Sequence, residues 1–390
     1  MMLAGFPPVT RARPPLVILL LSVFGFSTLY APQPLLPVLA ADFGRAPTEA
    51  SLLITLAMLP LAVAPLIYGY LLVSVPARPM LAGSALLLGL CQIGLALADA
   101  WWLMLTLRLL IGLCLPALFT ALMTFVAATA APERLRQALA WYIASTILGG
   151  FAGRALSGLV ASLWDWRLAL GIWAPALLAM GFWALRLPGN QESRFGVVTP
   201  RIFLAVMERP GAPQAYLAVF CIFFVFASVL NVLPFHLAQR DPGTGSAGIG
   251  FAYLGYLSGM LVSLNTERIR HWFYAEGPLY GLGLGLYALG IGLFALPGMG
   301  GTYLAMFAFC GGMFLIHTRL SGQVNQMGGP YRGVVNGLYI ASYYLGGSLG
   351  SWLAVALYRA LGWEPFLVAV ILVLALAGLG LRGMLRLEAG

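Results

Sequence analysis

The sequence predicts an all-α membrane protein with twelve transmembrane helices in two pseudo-symmetric six-helix bundles. Three observations carry this expectation. The chain of 390 residues is 61% hydrophobic and 8% charged, against about 25% charged in soluble domains, so the solvent for most of its surface must be lipid. Apolar runs of about 20 residues recur between short polar breaks, the length that crosses a bilayer as a helix. The longest polar stretch, PGNQESRFGVVTPRIFLAVMERPGAPQ (Pro188–Gln214), divides these runs into two sets of six.

The first set lies near 15–40, 51–73, 79–98, 101–129, 138–163 and 168–187, and forms the N-terminal bundle over 1–187. A cytoplasmic linker follows over 188–213, in which Ile202–Met207 is apolar enough to lie along the interface. The second set, near 214–238, 247–264, 277–297, 302–323, 333–358 and 365–384, forms the C-terminal bundle over 214–390. The start MMLAGFPPVTRARPP is charged like a signal peptide. No small-residue cleavage site follows it, so it reads as the lead into a retained first helix.

Arginine placement sets the orientation. All 21 basic residues are arginine. With both termini cytoplasmic, 15 of them fall in inner segments and four (Arg45, Arg167, Arg240, Arg359) in outer loops, as the positive-inside rule requires. The formal charge of +9 is scattered over short loops. It points to an anionic membrane face, with the lipid bilayer as partner and no nucleic acid. The four cysteines lie in apolar runs without metal or redox spacing. No nucleophile stands beside a base, no ligand cluster appears and no phosphate-cradling loop carries a lysine, so neither an enzyme, a metal site nor a cofactor is expected.

The halves look related. FGFSTLYAPQP (Phe24–Pro34) aligns with FVFASVLNVLP (Phe224–Pro234) at an offset of 200, sharing two phenylalanines and a proline. GYLLVS from Gly69 sits over GMLVS from Gly259. Parallel repeats of six helices are a pattern of secondary transporters.

Four stretches carry a family likeness: TLYAPQPLLPVLAADFG in the first predicted helix, RLLIGLCLPAL (Arg108–Leu118) in the fourth, GGFAGRALSG with WDWR in the fifth, and GLYIASYYLGGSLG (Gly337–Gly350) in the eleventh. On these the chain resembles the major facilitator superfamily over nearly its full length. Within it, the chain is similar to the bacterial inner-membrane group of drug or sugar efflux permeases of the arabinose-exporter type. The resemblance implies a monomeric secondary transporter of the bacterial inner membrane that moves a small organic solute (sugar-like, neutral or anionic) by alternating access, with proton-coupled efflux as the first expectation. An uncoupled uniporter or importer is the alternative. A non-transporting receptor or assembly factor on the same scaffold is a further one. It is kept open by the loop between helices 2 and 3, where the superfamily reads Gly-x-x-x-Asp-(Arg/Lys)-x-Gly-(Arg/Lys). Here the aspartate position is Val73, and its counterpart in the second half is Ser263. Gly69, Arg78, Gly259 and Arg268 remain as interface residues, with a weakened charge latch.

All twelve acids fall in loops or at helix ends, whereas Arg108, Arg154 and His317 fall within predicted helices. A positive interior favours neutral or anionic solutes over lipophilic cations. Arg154 lies about 14 Å from the outer end of its helix, too deep to snorkel easily. Gly150, Arg154 and Gly158 form one line of that helix and Gly149, Gly153 and Ser157 the next, a small-residue face made for close helix approach. Pro32, Pro34 and Pro37 free the carbonyls of Thr28, Tyr30 and Gln33 in the first helix. Arg154, at the same depth, is expected to cap them as a structural or gating residue, with direct solute contact as the alternative. Arg108 is expected to face the cavity, the alternative being outward snorkelling past Trp101 and Trp102. His317 is a candidate proton carrier, because histidine titrates in the physiological range, or else a neutral packed imidazole. Tyr30, Gln33, Asn231, Asn336, Tyr339 and Tyr343 complete the expected substrate cavity, the last three sharing one helix face.

Overall fold

A computed structural model of the chain describes residues 16–71, 74–130, 135–187, 192–194 and 199–389. The expectations for residues 1–15 and Val73 lie outside these. Counting the breaks within a span as kinks, thirteen helices follow one another: α1 (Leu16–Asp42), α2 (Leu52–Leu71), α3 (Ala77–Leu97), α4 (Trp101–Thr129), α5 (Leu135–Leu163) and α6 (Trp166–Ala184). Then come the linker helix α7 (Pro200–Met207), α8 (Ala212–Arg240), α9 (Pro242–Arg270), α10 (Glu276–Leu293), α11 (Gly298–Met327), α12 (Arg332–Leu361) and α13 (Trp363–Ala389). Eleven of them are long and apolar enough to cross a membrane. The remaining expected span, near 277–297, is α10, whose 18 residues include six glycines that dilute its hydropathy.

Packing repeats between the halves. α1 lies on α5 as α8 lies on α12, α2 on α4 as α9 on α11, and α3 on α6 as α10 on α13. The repeat reaches single atoms. Ser27 Oγ donates to the Gly149 carbonyl at 3.0 Å, and Ser228 Oγ donates to the Gly350 carbonyl at 3.3 Å. These pairs are offset by 201 residues, one more than the sequence match between Phe24–Pro34 and Phe224–Pro234. One residue turns a helix by about 100°, so the shared phenylalanines and proline of that match stand on different faces in the two halves.

Glycine permits the closest approaches. A Cβ at Gly153 would stand 2.6 Å from the Ser27 carbonyl oxygen, so α1 and α5 meet there backbone to backbone. Gly158 and Gly250 do the same between α5 and α9: a Cβ on Gly158 would lie 3.1 Å from Gly250 Cα, and one on Gly250 2.7 Å from the Arg154 carbonyl.

The prolines break α1 as expected: the helix stops at Tyr30, a 3₁₀ turn covers Gln33–Leu35, and helix resumes at Leu36. The capping residue is not the one expected. Arg108, fully buried, donates from Nη1 to the Thr28 carbonyl at 2.7 Å, from Nη2 to the Leu29 carbonyl at 2.6 Å and from Nε to the Leu53 carbonyl of α2 at 2.5 Å. Gly112, one turn further along α4, lets α2 pass close by: a Cβ there would stand 2.7 Å from the Ala57 carbonyl. Arg108 therefore fastens α1, α2 and α4 together.

On the linker side the chain is clasped. β1 (Ser74–Pro76), in the loop after α2, pairs antiparallel with β2 (Glu192–Arg194) of the linker, Val75 opposite Ser193. Arg78 donates to the Leu187 carbonyl at 3.3 Å, Gly69 lies near the end of α2, and Arg268 is exposed. In the second half an ion-pair cluster occupies the same end: Arg319 of α11 bonds Glu276 at 2.7 Å and Glu267 at 3.2 Å, and Arg270 bonds Glu276 at 3.0 Å. The amphipathic piece Ile202–Met207 forms the predicted helix, capped by Thr199 Oγ1 accepting from the Ile202 amide at 3.3 Å.

Replacing Arg108 with leucine removes three hydrogen bonds and leaves the Thr28 carbonyl, which Pro32 deprives of its helical donor, unpaired in the bundle at about 1–3 kcal/mol. Relief from burying a charge offsets part of this. The expected net loss is about 3 kcal/mol, read as a lower melting temperature in detergent. Arg108→Lys gives no rescue, because one ammonium cannot span carbonyls on two helices. Wild-type stability in either variant would refute the capping role.

Candidate substrate cavity and gate

A cavity of about 700 Å³ lies between the two sets of helices. Its dome is formed by Tyr30 of α1, Gly150 of α5 and Tyr256 of α9. Its walls carry Phe119, Tyr142, Phe223, Phe226, Phe314 and Tyr344 with hydroxyls from Thr120, Thr146 and Thr318. It runs on through Thr124, Ser263, Ser321 and Gly333, close to the ends of α4, α9, α11 and α12 on the linker side. On the opposite side the halves are in contact. α2 meets α12, where Ser351 Oγ lies 3.8 Å from Met58 Sδ, and α5 meets α9 at the Gly158–Gly250 crossing.

Of the expected cavity residues, Tyr30, Asn336, Tyr339 and Tyr343 line it, and so does His317. Tyr339 Oη lies 2.9 Å from His317 Nδ1, and the Tyr343 ring centroid is 4.7 Å from the imidazole. The guanidinium of Arg319, two residues on, is engaged by Glu276 and Glu267. No Asp, Glu, Lys or Arg occurs among the described lining residues.

Three expected cavity residues are placed elsewhere. Arg108 is buried against α1 and α2, where the carbonyls it serves lie, and is not among the cavity-lining residues. Gln33 and Asn231 are also fully buried and form a bridge above the dome. Gln33 Nε2 donates to Asn231 Oδ1 at 3.0 Å, and Asn231 Nδ2 donates to the Ser351 carbonyl at 2.8 Å. The His236 ring, near the end of α8, stacks on Trp363 at 3.9 Å.

Arg154 caps none of the freed carbonyls. Its Nε donates to Gln33 Oε1 at 2.5 Å and its Nη1 to the Gly150 carbonyl at 2.5 Å. The guanidinium carbon stands over three rings, Tyr30 at 4.0 Å, Tyr256 at 4.6 Å and Tyr253 at 4.9 Å. Gly150 is what admits this arrangement, since a Cβ there would already lie 3.4 Å from Nη1. Arg154 Nη2 is buried without a hydrogen-bond partner among the described residues. The cage rings Tyr253 and Tyr256 escaped the sequence reading. The available signal was their i, i+3 spacing in YLGY, on a helix whose glycines answer the glycine face of α5.

The family model of the Major Facilitator Superfamily matches residues 16–326. The inner membrane transport protein YnfM of Escherichia coli (strain K12) is 29% identical over 397 residues, covering 98% of this chain and 94% of its own. A transporter of Buchnera aphidicola subsp. Baizongia pistaciae, itself uncharacterised, is 24% identical over 333 residues, covering 83% and 81%. Among solved structures, a bacterial homologue of the human lysosomal transporter Spinster, in an inward-facing and occupied conformation, superposes with a TM-score of 0.72 at 14% identity, covering 95% of this chain and 97% of that one. With twelve helices packed as two repeated sets around a closed-topped cavity, the chain is a multi-pass membrane transporter that belongs to the Major Facilitator Superfamily.

Proposed function

We propose that this protein moves a small organic solute, neutral or anionic and bearing an apolar or aromatic face, across the bacterial inner membrane by alternating access. The bundles of residues 1–187 and 214–390 rock about the cavity, and the linker 188–213 joins them on the cytoplasmic side. On that reading the cavity is open to the cytoplasm and the outer gate is shut, the orientation that arginine placement favours. One observation carries the solute class: a 700 Å³ cavity whose described lining is aromatic and hydroxylic and holds no carboxylate to bind a cation. Aromatic faces beside hydroxyl and amide groups suit sugar rings as well as more apolar acids and esters.

Coupling to protons, in the direction of export, rests on His317. It lies on the cavity wall with Tyr339 and Tyr343 as neighbours, and histidine alone among the lining side chains has an ordinary pKa near neutrality. The missing carboxylate favours a rival, uncoupled uniport or import. Counterflow and pH-driven flux, measured on the same proteoliposomes across a panel of sugars, organic acids and aromatic solutes, separate the two. Flux that accumulates solute only under a pH gradient supports coupling, and counterflow with no effect of pH supports the uniporter. Failure of every solute in both modes would sink the transport reading.

Two substitutions sharpen it. His317→Gln should keep counterflow and lose pH-driven accumulation about tenfold or more, because exchange needs only alternation while accumulation needs the proton. Undiminished accumulation would remove histidine from the mechanism. Gly158→Leu should hold α5 and α9 apart at the outer gate, so that solute still binds but counterflow falls at least tenfold. Normal counterflow would show that this crossing does not seal the gate.

A further inference from the structure

Arg154 is a cation without an anion. It is 0% exposed. What offsets its charge are three ring faces, one amide oxygen and one carbonyl. One of its terminal nitrogens has no partner among the described residues. A buried guanidinium is tolerated when its donors are used and its charge is met. Here one donor group is idle, and the charge is met by tyrosine quadrupoles rather than a carboxylate.

The origin of those partners matters. Tyr30 and Gln33 come from α1, in the same bundle as Arg154. Tyr253 and Tyr256 come from α9, and Asn231, which holds the Gln33 amide in place, comes from α8. Alternating access requires α8 and α9 to move off α1 and α5 when the outer side opens. Two of the three rings and the anchor of Gln33 then leave together. Arg154 stays behind at the floor of the opened vestibule, with Tyr30 beside it and its idle Nη2 beside Nη1. Two adjacent guanidinium nitrogens make the planar fork that pairs with a carboxylate through two parallel hydrogen bonds, which an ammonium cannot copy.

We propose that Arg154 is the carboxylate-binding subsite of the outward-open state, and that the transported solute is an organic monocarboxylate whose apolar or aromatic body occupies the cavity. This rests on the alternating-access reading above. In the cytoplasm-facing state the Tyr30–Gly150–Tyr256 dome stands between Arg154 and the cavity, so the carboxylate meets no formal positive charge there. Affinity for the anion is therefore higher on the outer side than on the inner. The same exchange of partners, rings for carboxylate, lets the anion favour gate opening, because a ligand shifts a conformational equilibrium by its differential affinity for the two states.

The test uses matched probes: benzoate with benzamide, hexanoate with hexanamide, and phenylacetate with phenylacetamide. Binding is followed by intrinsic fluorescence and melting temperature in detergent, and counterflow of the same probes is measured in proteoliposomes. The expected result is that at least one carboxylate binds at least tenfold more tightly than its amide. Arg154→Gln should erase that preference and Arg154→Lys should keep only part of it. Tyr253→Leu, which weakens the ring cage in the closed-gate state at a residue outside the cavity lining, should tighten carboxylate binding about threefold to tenfold, the size of one desolvated cation–π contact, and leave amide binding as it was. That gain is the readout a purely structural arginine would not give, and it stands even if Arg154→Gln fails to fold. Equal binding of acids and amides, no binding of any acid at 10 mM (roughly the weakest affinity worth about 3 kcal/mol), or a preference that survives in Arg154→Gln would overturn the proposal. Counterflow of an amide in wild-type protein, with no acid preferred, would overturn the subsite while leaving the transporter reading intact.

Discussion

Inside a bilayer every backbone carbonyl must find a donor within the protein, and most of this structure follows from how α1 meets that demand. Three prolines break the helix where it crosses the middle of the assembly. Lipid offers no donor to the oxygens they free, and each unsatisfied group costs several kcal/mol. Arg108 supplies a donor from a neighbouring helix to one of them, the Thr28 carbonyl, and through its further bonds to the Leu29 and Leu53 carbonyls sets the distance and rotation of α1, α2 and α4. The broken segment then turns Gln33 across the gap toward α8, so that its amide reaches Asn231. A straight α1 would present the same residues on a different face. The gate bridge is thus a consequence of the proline break, and the break is tolerable because of one buried guanidinium.

Glycine handles the other constraint. Lipid is as apolar as leucine, so helices gain little in the membrane by burying leucine against leucine, and close backbone approach does the work instead. The contacts at Gly149 and Gly350 repeat at the same atoms, Ser27 Oγ and Ser228 Oγ, in the two halves. The crossing of Gly158 with Gly250 has a different character. It joins α5 to α9, helices that part in the proposed alternating-access cycle, and it is held by close backbone approach. A surface of that kind can separate without unpacking a core.

The architecture was legible because lipid leaves a coarse, redundant signature. Span length gives the twelve helices, the long polar linker divides them six and six, arginine asymmetry sets their orientation, and α10 is the one span whose glycines blur the signal. The cavity was partly legible: Asn336, Tyr339 and Tyr343 share a helix face by spacing alone, and that face is the one on the cavity. Of the two arginines, Arg108 serves the Thr28 carbonyl that spacing assigns to Arg154, and Arg154 sits instead among rings and the Gln33 amide where the halves meet. Depth in the membrane gave Arg154 and the freed carbonyls of α1 the same height, but height fixes one coordinate of three. Which helix flank an arginine points along depends on the rotation of α4 and α5 about their own axes. That rotation is set by Gly112 against Ala57 and Gly153 against Ser27, contacts that exist only once the helices are packed. The repeat was misread by one residue for a related reason. Identity of side chains selected an offset of 200, while the backbone contacts that define the repeat run at 201.

The corrected placement gives the two arginines a division of labour that their equal burial hides. Arg108 spends its donors on carbonyls of its own bundle, so nothing about it changes when the bundles rock as units. Arg154 draws two of its three rings from the opposite bundle, so on the proposed alternating-access cycle its surroundings change at each turn. A charge of the first kind is part of the scaffold. A charge of the second kind stores a difference between the two conformations, since about 0.5–2 kcal/mol per cation–π contact is present in one and absent in the other. The absence of an acid among the described partners of Arg154 then acquires a meaning. A carboxylate close to Arg154 would neutralise it in both states and remove that difference. On the proposed cycle, tyrosines hold the cation firmly enough to keep the gate shut and weakly enough to give it up, whereas a fixed ion pair in a low-dielectric interior would do only the first.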